Sequence, residues 1–340
     1  MQVRTAIAFS SLLWVLAASG ARADTYTVSF PTPSLDRWNY PFNPTPGTRI
    51  VASTFGNEPG GTLFDNRDAQ FIVGFDTGAV VPAGLGAATY TIQSCVVEIT
   101  YANDLVVEYD PTVDPYTAFL PVTDTEYADD ADLGQPIELY GVGFRNGFTL
   151  ANWTEFSPFG AGNVLNPSVR NAFALGTDAA GQWVDVSNSV RERWTPQPFA
   201  VGQVAKLKPG SLVPINTRMR FNLDVSRASV QSYLRDAVNA GKLRLTACSL
   251  TKVVQQGGNF PTFYCRENPL VTATGVGAAT LQMTVTTQTC VPADLNCDGT
   301  VNAQDIAILL SQWGTSGNAD LSGDGTVGPQ DIAILLGAWS

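Results

Sequence analysis

The sequence predicts a mainly β protein, a β-sandwich or jelly roll, followed by a small α-helical region at the C-terminus. From residue 24 to about 289, short segments rich in β-branched and aromatic residues recur, several of them with period-two alternation. Clusters of Pro, Gly, Asn and Asp separate these segments, which is typical of strands joined by tight turns. The C-terminal region instead carries QDIAILL twice, an apolar pattern with helical spacing.

The first 23 residues have the layout of a secretory signal peptide. A basic Arg4 precedes an apolar run from Ala6 to Ala18, and the segment ends in the small-x-small site Ala21-Arg22-Ala23. The run is short and contains serines, so it is a poor membrane span. We expect cleavage before Asp24 and a secreted or cell-surface location.

The predicted elements follow in order between residues 24 and 289, the expected bounds of the large domain. Strands are predicted at FIVGF, ATYTIQSCVVEITYA, LVVEY, ELYGVGF, RMRFNLDV, KLRLTACSLTKVV and ATLQMTVTT. The segment SRASVQSYLRDAVNAGK predicts a helix capped by Ser226 or Ser229 and stopped by Gly241. A second, short helix is predicted at VSNSVRERW.

The charge and composition exclude several function classes. The net charge of −11 disfavours nucleic acid and anionic membranes as partners. The chain contains no histidine, which excludes Ser-His-Asp and Cys-His catalysis and imidazole zinc sites. An enzyme of this composition would have to use carboxylates, Tyr, Lys or Arg.

The five cysteines are an odd number, so at least one is free or pairs between chains. Export permits disulfides. Cys290 and Cys297 flank the start of a loop, and Cys248 and Cys265 lie on either side of a Gly-Gly turn region. We expect those two pairs, with Cys95 as a buried free thiol.

Each QDIAILL copy follows a twelve-residue segment of calcium-loop type, DLNCDGTVNAQD and DLSGDGTVGPQD. Oxygen ligands fall at positions 1, 3, 5, 7, 9 and 12, with glycine at position 6 where the chain turns sharply. Position 7 contributes a backbone carbonyl, and Gly328 at position 9 of the second loop leaves that place to water. The predicted protein ligands are Asp294, Asn296, Asp298, Thr300, Asn302 and Asp305 in loop one, and Asp320, Ser322, Asp324, Thr326 and Asp331 in loop two.

The distribution of charge supports two bound calcium ions. From residue 290 to residue 340 there are six Asp residues and no Lys, Arg or Glu. All six occupy position 1, 5 or 12 of a loop, where converging carboxylates would repel one another without a cation. Calcium is the hard, oxygen-seeking ion that fits such a set.

The helix after each loop presents one apolar stripe, which two copies could bury against each other. The first stripe contains Ile306, Leu309, Leu310 and Trp313, and the second contains the same residues 26 positions later. In one interpretation, both stripes serve only as the core of this small region. Alternatively, part of this surface faces a partner.

Residues 290–340 resemble a type I dockerin, in the bacterial variant with one Cys before the first loop and one inside it. The resemblance implies two calcium ions, a Cys290–Cys297 disulfide and calcium-dependent attachment to a cohesin-like receptor on a scaffold or cell surface. Ala303-Gln304 and Pro329-Gln330 stand where cellulosomal dockerins commonly have Ser-Thr, so a different receptor is expected. Ser322 and Gly328 replace the two Asn residues of loop one, and we expect weaker calcium binding in loop two.

Two segments of the large domain also resemble secreted bacterial β-sandwich modules of the DNRLRE type. They are FIVGFDTGAVVPAGLGAATYTIQSCVVEITY, with its turn at Val81-Pro82-Ala83-Gly84, and WVDVSNSVRERW. The resemblance implies a sandwich and no particular activity.

Three roles remain open for the large domain: a non-catalytic module with a structural or adhesive purpose, a carbohydrate-binding component, or a carboxylate-based glycoside hydrolase. A hydrolase needs two carboxylates that flank the sugar bond. Candidate acids are Glu98, Glu108, Asp110, Asp114, Glu126, Asp129, Asp130, Asp132, Glu138 and Glu155. Candidate stacking platforms are Trp38, Tyr40, Trp153, Phe156 and Phe159. The acidic stretch from Asp124 to Asp132 could hold another calcium or be a solvated loop.

Overall fold

The computed structural model describes residues 22–57, 61–253, 259–289 and 291–340. The predicted signal peptide therefore lies almost wholly outside the described residues. The chain divides into two compact units, one from Asp24 to Thr287 and one that contains Gln288–Ser340. The larger is mainly β, with antiparallel sheets and few helices, in agreement with the predicted class.

One sheet of the large unit has four strands in the order β1-β13-β5-β10. Its strands are β1 (Arg22–Phe30), β5 (Tyr90–Thr100), β10 (Arg218–Asn222) and β13 (Thr280–Thr289). The central strand β5 pairs antiparallel with both β10 and β13. A register shift between Thr284 and Val285 leaves Gln93 of β5 without a partner in the ladder. This bulge moves the buried side of β5 from even-numbered to odd-numbered residues, from Ile92 to Cys95.

The second sheet has seven strands in the order β2-β4-β11-β6-β7-β8, with β9 paired to β6. They are β2 (Leu35–Asn39), β4 (Gln70–Phe75), β6 (Glu138–Phe144), β7 (Ala172–Thr177), β8 (Trp183–Asp185), β9 (Ala200–Val201) and β11 (Leu243–Cys248). A small pair joins β3 (Val51–Ser53) to β12 (Thr262–Tyr264).

The main core takes side chains from both larger sheets and from one helix. Phe71 and Leu245 from the seven-stranded sheet, Val97 and Leu281 from the four-stranded sheet, and Leu234 belong to one fully buried cluster. Burying a side chain of this size contributes about 1.5–3 kcal/mol. The central strands β4 and β11 are buried along their whole length, which explains their continuous apolar character.

Helix α1 (Ala228–Asn239) lies where the sequence predicts it and buries Val230, Leu234 and Val238. The predicted serine caps are wrong, because Arg227 is the N-cap residue and provides no side-chain cap. The hydroxyl of Ser226 instead donates to Asp224. Gly241 follows the helix with φ +69°, a left-handed conformation that ends it. A short α2 (Pro269–Thr274) was not predicted.

Two predicted elements are absent from the described structure. The segment LVVEY is not a strand, because Leu105 has φ +53° and only Glu108 forms an isolated bridge. The segment VSNSVRERW forms turns rather than a helix. Its central polar side chains are buried: Ser187 and Ser189 accept hydrogen bonds from Gln70 and Arg67. These tertiary hydrogen bonds hold the segment in turns instead of a helix.

The predicted Cys248–Cys265 disulfide is wrong, since both cysteines are free and buried. Cys248 packs with Tyr140, whereas Cys265 belongs to the main core cluster. Cys95 is a buried free thiol, as expected. Cys297 is disulfide-bonded, and its expected partner Cys290 lies outside the described residues.

The C-terminal unit contains helices α3 (Ala303–Ser311) and α4 (Pro329–Gly337), which cover the two QDIAILL segments. Its buried core consists of three positions used twice at an offset of 26 residues. These are Ala293, Val301 and Leu309 from the first copy and Ala319, Val327 and Leu335 from the second. Each repeat alone has half of a core, so the two fold as a pair.

Candidate functional site: two acidic loops and an acidic cluster

The two predicted loops have nearly the same backbone. Position 6 is left-handed in both, with φ +92° at Gly299 and +93° at Gly325. Position 4 is also left-handed, with φ +60° at Cys297 and +73° at Gly323. Glycine adopts this region without steric cost, whereas a cysteine there costs about 1–2 kcal/mol. Cys297 is therefore strained, whereas Gly323 adopts the same conformation without strain.

The position-1 carboxylates organise the turn of each loop. Asp294 accepts hydrogen bonds from the backbone N–H groups of positions 5 and 6, at 3.2 and 2.9 Å. Asp320 accepts from the same two positions, at 3.2 and 2.8 Å. These bonds turn the loop backbone around the first carboxylate, which is the arrangement that a cation loop requires.

The position-12 carboxylates close the loops. Asp305 accepts from the backbone N–H groups of Asn296 and Asn302, at 3.1 and 2.9 Å. Asp331 accepts from those of Ser322 and Gly328, at 2.8 and 2.6 Å. Both carboxylates are fully buried. Each one therefore joins positions 3 and 9 of its loop to the first turn of the following helix.

The remaining predicted ligands differ between the loops. In loop one, Asn296 donates to Asp298, and the Thr300 hydroxyl donates to the same carboxylate at 2.7 Å. Asn302 caps α3 by accepting from the N–H of Gln304. In loop two, the Ser322 hydroxyl donates to Asp320, and Asp324 accepts from the N–H of Thr326. Gly328 has no side chain to cap α4.

Hydrogen bonding keeps two of these acids ionised. The Thr300 hydroxyl and N–H hold the pKa of Asp298 below its ordinary value. The N–H groups of Ser322 and Gly328 lower the pKa of Asp331 in the same way. With no basic residue between 290 and 340, the loops retain their negative charge.

The donor set fits calcium, because carboxylate, amide, hydroxyl and carbonyl oxygens are the ligands that this ion takes. Positions 1, 3, 5, 7, 9 and 12 of loop one would hold the first ion. The same positions of loop two would hold the second, with water at position 9. In neither loop do all three carboxylates place an oxygen within 4.8 Å of one another. Among the described residues, only one set of acids is grouped so closely, and it lies in the large unit.

The apolar stripes of α3 and α4 are only half buried. Leu309 and Leu335 are in the core, and Ile306 and Ile332 pack against it. The other half is exposed in both copies: Leu310 and Leu336 are each 51% exposed, Trp313 is 46% exposed and Trp339 is 49% exposed. Two equivalent pairs of large apolar side chains thus face solvent.

The repeats also exchange hydrogen bonds. The N–H of Val301 in loop one donates to the hydroxyl of Ser340, which follows α4 (2.8 Å), and the Val301 carbonyl accepts from the Ser340 N–H (3.1 Å). Val327 of loop two bonds with Gly314 and Thr315, which follow α3. Each loop is therefore held by the segment after the other helix.

The candidate acids of the large unit lie in four environments, of which the first two are ion pairs. Glu138 is buried in a bidentate ion pair with Arg67, at 2.6 and 3.1 Å, and Glu155 pairs with Arg266. At the surface, Glu98 pairs with two arginines and Glu126 with Arg193.

The remaining candidates differ in how they are grouped. Glu108 and Asp129 are exposed. Asp110, Asp114, Asp130 and Asp132 each place one carboxylate oxygen within 4.8 Å of the others. The predicted stretch Asp124–Asp132 thus contributes two members, and no sequence pattern indicates that Asp110 and Asp114 join them.

One of the candidate aromatics, Tyr40, lines an open cavity of about 390 Å³. Trp38 stacks on Tyr40 at 4.7 Å between ring centroids, and Tyr40 lines the cavity with Phe42 and Phe64. Asp68 adds a carboxylate whose pKa burial raises to about 6. The aromatic lining of Phe42 and Phe64 was not predicted from the sequence.

Like Trp38, the other three aromatic candidates do not line this cavity. Trp153 is buried beneath Arg37, and Phe159 packs under Arg170. Phe156 is 62% exposed.

No family model matches this chain, and no curated protein or solved structure matches it significantly. Among the described residues, no helix is both long enough and apolar enough to cross a membrane.

Proposed function

We propose that the protein is an exported module whose C-terminal unit, residues 290–340, is a dockerin that binds two calcium ions and attaches a β-sandwich domain to a cohesin-like partner. The observation that carries the proposal is the duplicated loop. Two acidic segments of the same spacing share their position-1 and position-12 hydrogen bonds, and no basic side chain in the segment balances their charge.

In this proposal, the partner binds the exposed half of the apolar stripes on α3 and α4. Leu310 with Trp313 and Leu336 with Trp339 form two equivalent apolar pairs on one small unit. Exposed aromatic and aliphatic side chains of this kind commonly anchor protein interfaces. Calcium would act indirectly, by fixing the loops on which both helices begin.

The first test is a calcium titration of the mature chain by calorimetry, with thermal unfolding followed in chelator and in calcium. We expect two ions in the loops and a calcium-dependent rise in the unfolding temperature of the C-terminal unit. The paired variant Asp298→Ala and Asp324→Ala should remove both effects. Unchanged calcium binding in that variant would reject the proposal.

The second test concerns attachment. Retention of the chain on the envelope fraction of its host should require calcium and should fall at least about tenfold in a Trp313→Ala and Trp339→Ala variant. Val122→Ala is a matched control, because it removes an apolar side chain that is 76% exposed in the large unit. Equal retention of the double variant and the control would reject the interface.

A carbohydrate-binding role for the large domain is favoured by one observation, the aromatic cavity beside Tyr40. Stacking faces next to a carboxylate are suited to a sugar ring. Glycan-array binding that is lost in Tyr40→Ala and kept in the exposed-site variant Phe156→Ala would support it. Absence of binding in the unmodified chain would leave the domain as a passive cargo.

A further inference from the structure

Four carboxylates from two separate segments meet in the large unit. Asp110 and Asp114 come from the loop after β5, and Asp130 and Asp132 come from a loop sixteen or more residues further on. One oxygen of each lies within 4.8 Å of the others. Gly134, with φ +104°, turns the second loop back so that a Cβ at this position would lie 3.1 Å from the Cβ of Asp110.

Buried oxygens in this cluster have no hydrogen-bond partner. Asp110 is 1% exposed, and its Oδ1 accepts from the N–H and hydroxyl of Thr112 at 2.8 and 2.6 Å. Its Oδ2 is buried without a partner. Asp114 is 6% exposed, and its Oδ1 is likewise buried and unpaired. Leaving such oxygens unsatisfied costs about 1–3 kcal/mol each, or more when the group is charged.

No basic side chain in the described part of the chain forms an ion pair with this cluster. Among the described residues, no Lys or Arg lies within 4.0 Å of any of the four carboxylates. Other buried acids of the same unit do have such partners, since Glu138 pairs with Arg67 and Asp65 with Arg170. Burial and the neighbouring carboxylates of Asp110 and Asp130 raise the pKa of Asp114 to about 9. The cluster is therefore unfavourable as a set of free anions.

The spacing discriminates between possible uses of the four acids. A glycoside hydrolase uses one pair of carboxyl groups about 5–5.5 Å or 6.5–9.5 Å apart, whereas here four carboxylates each place an oxygen within 4.8 Å of the others. Oxygens on opposite sides of a calcium ion are about 4.6–5.2 Å apart, because each lies about 2.3–2.6 Å from the metal. Magnesium usually keeps several waters and takes one or two carboxylates from the protein, so a set of four carboxylates suits it less well.

We propose that Asp110, Asp114, Asp130 and Asp132 bind a calcium ion in the large unit, separately from the two C-terminal loops. The unpaired Oδ2 of Asp110 and Oδ1 of Asp114 supply its buried ligands, and Asp130 and Asp132 complete it from the solvent side. The ion joins the two loops at the point where Thr112 already contacts both Asp110 and Asp132.

The test compares Asp114→Asn with Asp129→Asn in the full mature chain. Asp129 is exposed in the same acidic loop and outside the cluster, so it is a matched control. At saturating calcium, equilibrium dialysis should count one ion fewer in Asp114→Asn than in the unmodified chain, and no change in Asp129→Asn. In chelator, Asp114→Asn should unfold at the same temperature or higher, because it removes a carboxyl group that is buried beside three others. Equal ion counts in all three proteins would overturn the proposal.

A second measurement needs no variant. Hydrogen–deuterium exchange of the unmodified chain should slow on adding calcium at the amides of residues 110–134. It should slow independently at residues 294–331 if the loops bind as well. Unchanged exchange in residues 110–134 at millimolar calcium would overturn the proposal whatever the C-terminal loops do.

Discussion

Asp305 and Asp114 are both buried acids, one in a C-terminal loop and one in the cluster of the large unit. Both oxygens of Asp305 accept backbone N–H groups from its own loop, within nine residues of sequence. Asp114 instead faces three other carboxylates, and its Oδ1 has no partner. The first acid is satisfied by local geometry with or without a cation, whereas the second acquires a favourable partner only from an added cation.

The largest expected effect concerns the loop acid, Asp305. Asp305→Ala leaves the N–H groups of Asn296 and Asn302 without their acceptor, at about 1–3 kcal/mol each. We expect the C-terminal unit to lose about 2–6 kcal/mol of unfolding free energy in chelator and one bound calcium. Calorimetry of the full chain measures the first and dialysis the second. Gln330→Ala, an exposed neighbour of the equivalent position, is the control, and identical transitions in both variants would contradict the expectation.

The next effect concerns Gly134, whose backbone turns one loop of the acidic cluster. Gly134→Ala adds a Cβ about 3.0 Å from the carbonyl oxygen of Glu108 at a left-handed φ of +104°. Gly162→Ala adds one at φ +77° with nothing within 4 Å, so it carries only the conformational strain of about 1–2 kcal/mol. We expect Gly134→Ala to unfold at a lower temperature than Gly162→Ala and to bind one calcium ion fewer. Equal ion counts in the two variants would mean that the backbone at Gly134 does not control metal binding.

A third effect distinguishes the pH dependence of the two units. Burial, and then the nearby carboxylate of Glu267, raise the pKa of Asp36 to about 8. The folded large unit therefore keeps a proton that the unfolded chain releases, so stability falls as pH rises from about 4 to 8. Asp331 has a lowered pKa, and its contribution is lost as the pH falls through that folded value, below the ordinary 3.8. Asp36→Asn should flatten the first trend without changing the second, as measured by unfolding temperature against pH.

The smallest effect concerns the two loops themselves. Gly328 has an extended backbone, and a Cβ there meets nothing closer than 3.6 Å. Gly328→Asn should supply the helix cap that Asn302 gives α3, worth a few tenths of a kcal/mol over glycine. It should also raise the calcium affinity of loop two towards that of loop one. Unchanged affinity would mean that position 9 does not set the difference between the loops.

The comparison also explains which features were predictable. The loops and helices of residues 290–340 follow from spacing within a dozen residues, and the helices were found where the pattern placed them. The acidic cluster joins Asp110 to Asp132 through the tertiary fold, and no short-range pattern encodes that distance. The same reason accounts for two of the wrong predictions, the Cys248 disulfide and the helix at VSNSVRERW. In both, burial against residues distant in sequence decided the local state.

The exchanged hydrogen bonds at Val301 and Val327 have a thermodynamic consequence. Because each loop is anchored by the segment after the opposite helix, ordering of one loop fixes part of the backbone that holds the other. Occupancy of one site should therefore increase affinity at its neighbour, and by linkage the coupling must be the same in both directions. We expect the C-terminal unit to respond to calcium over a narrower concentration range than two independent sites would, behaving as a single switch.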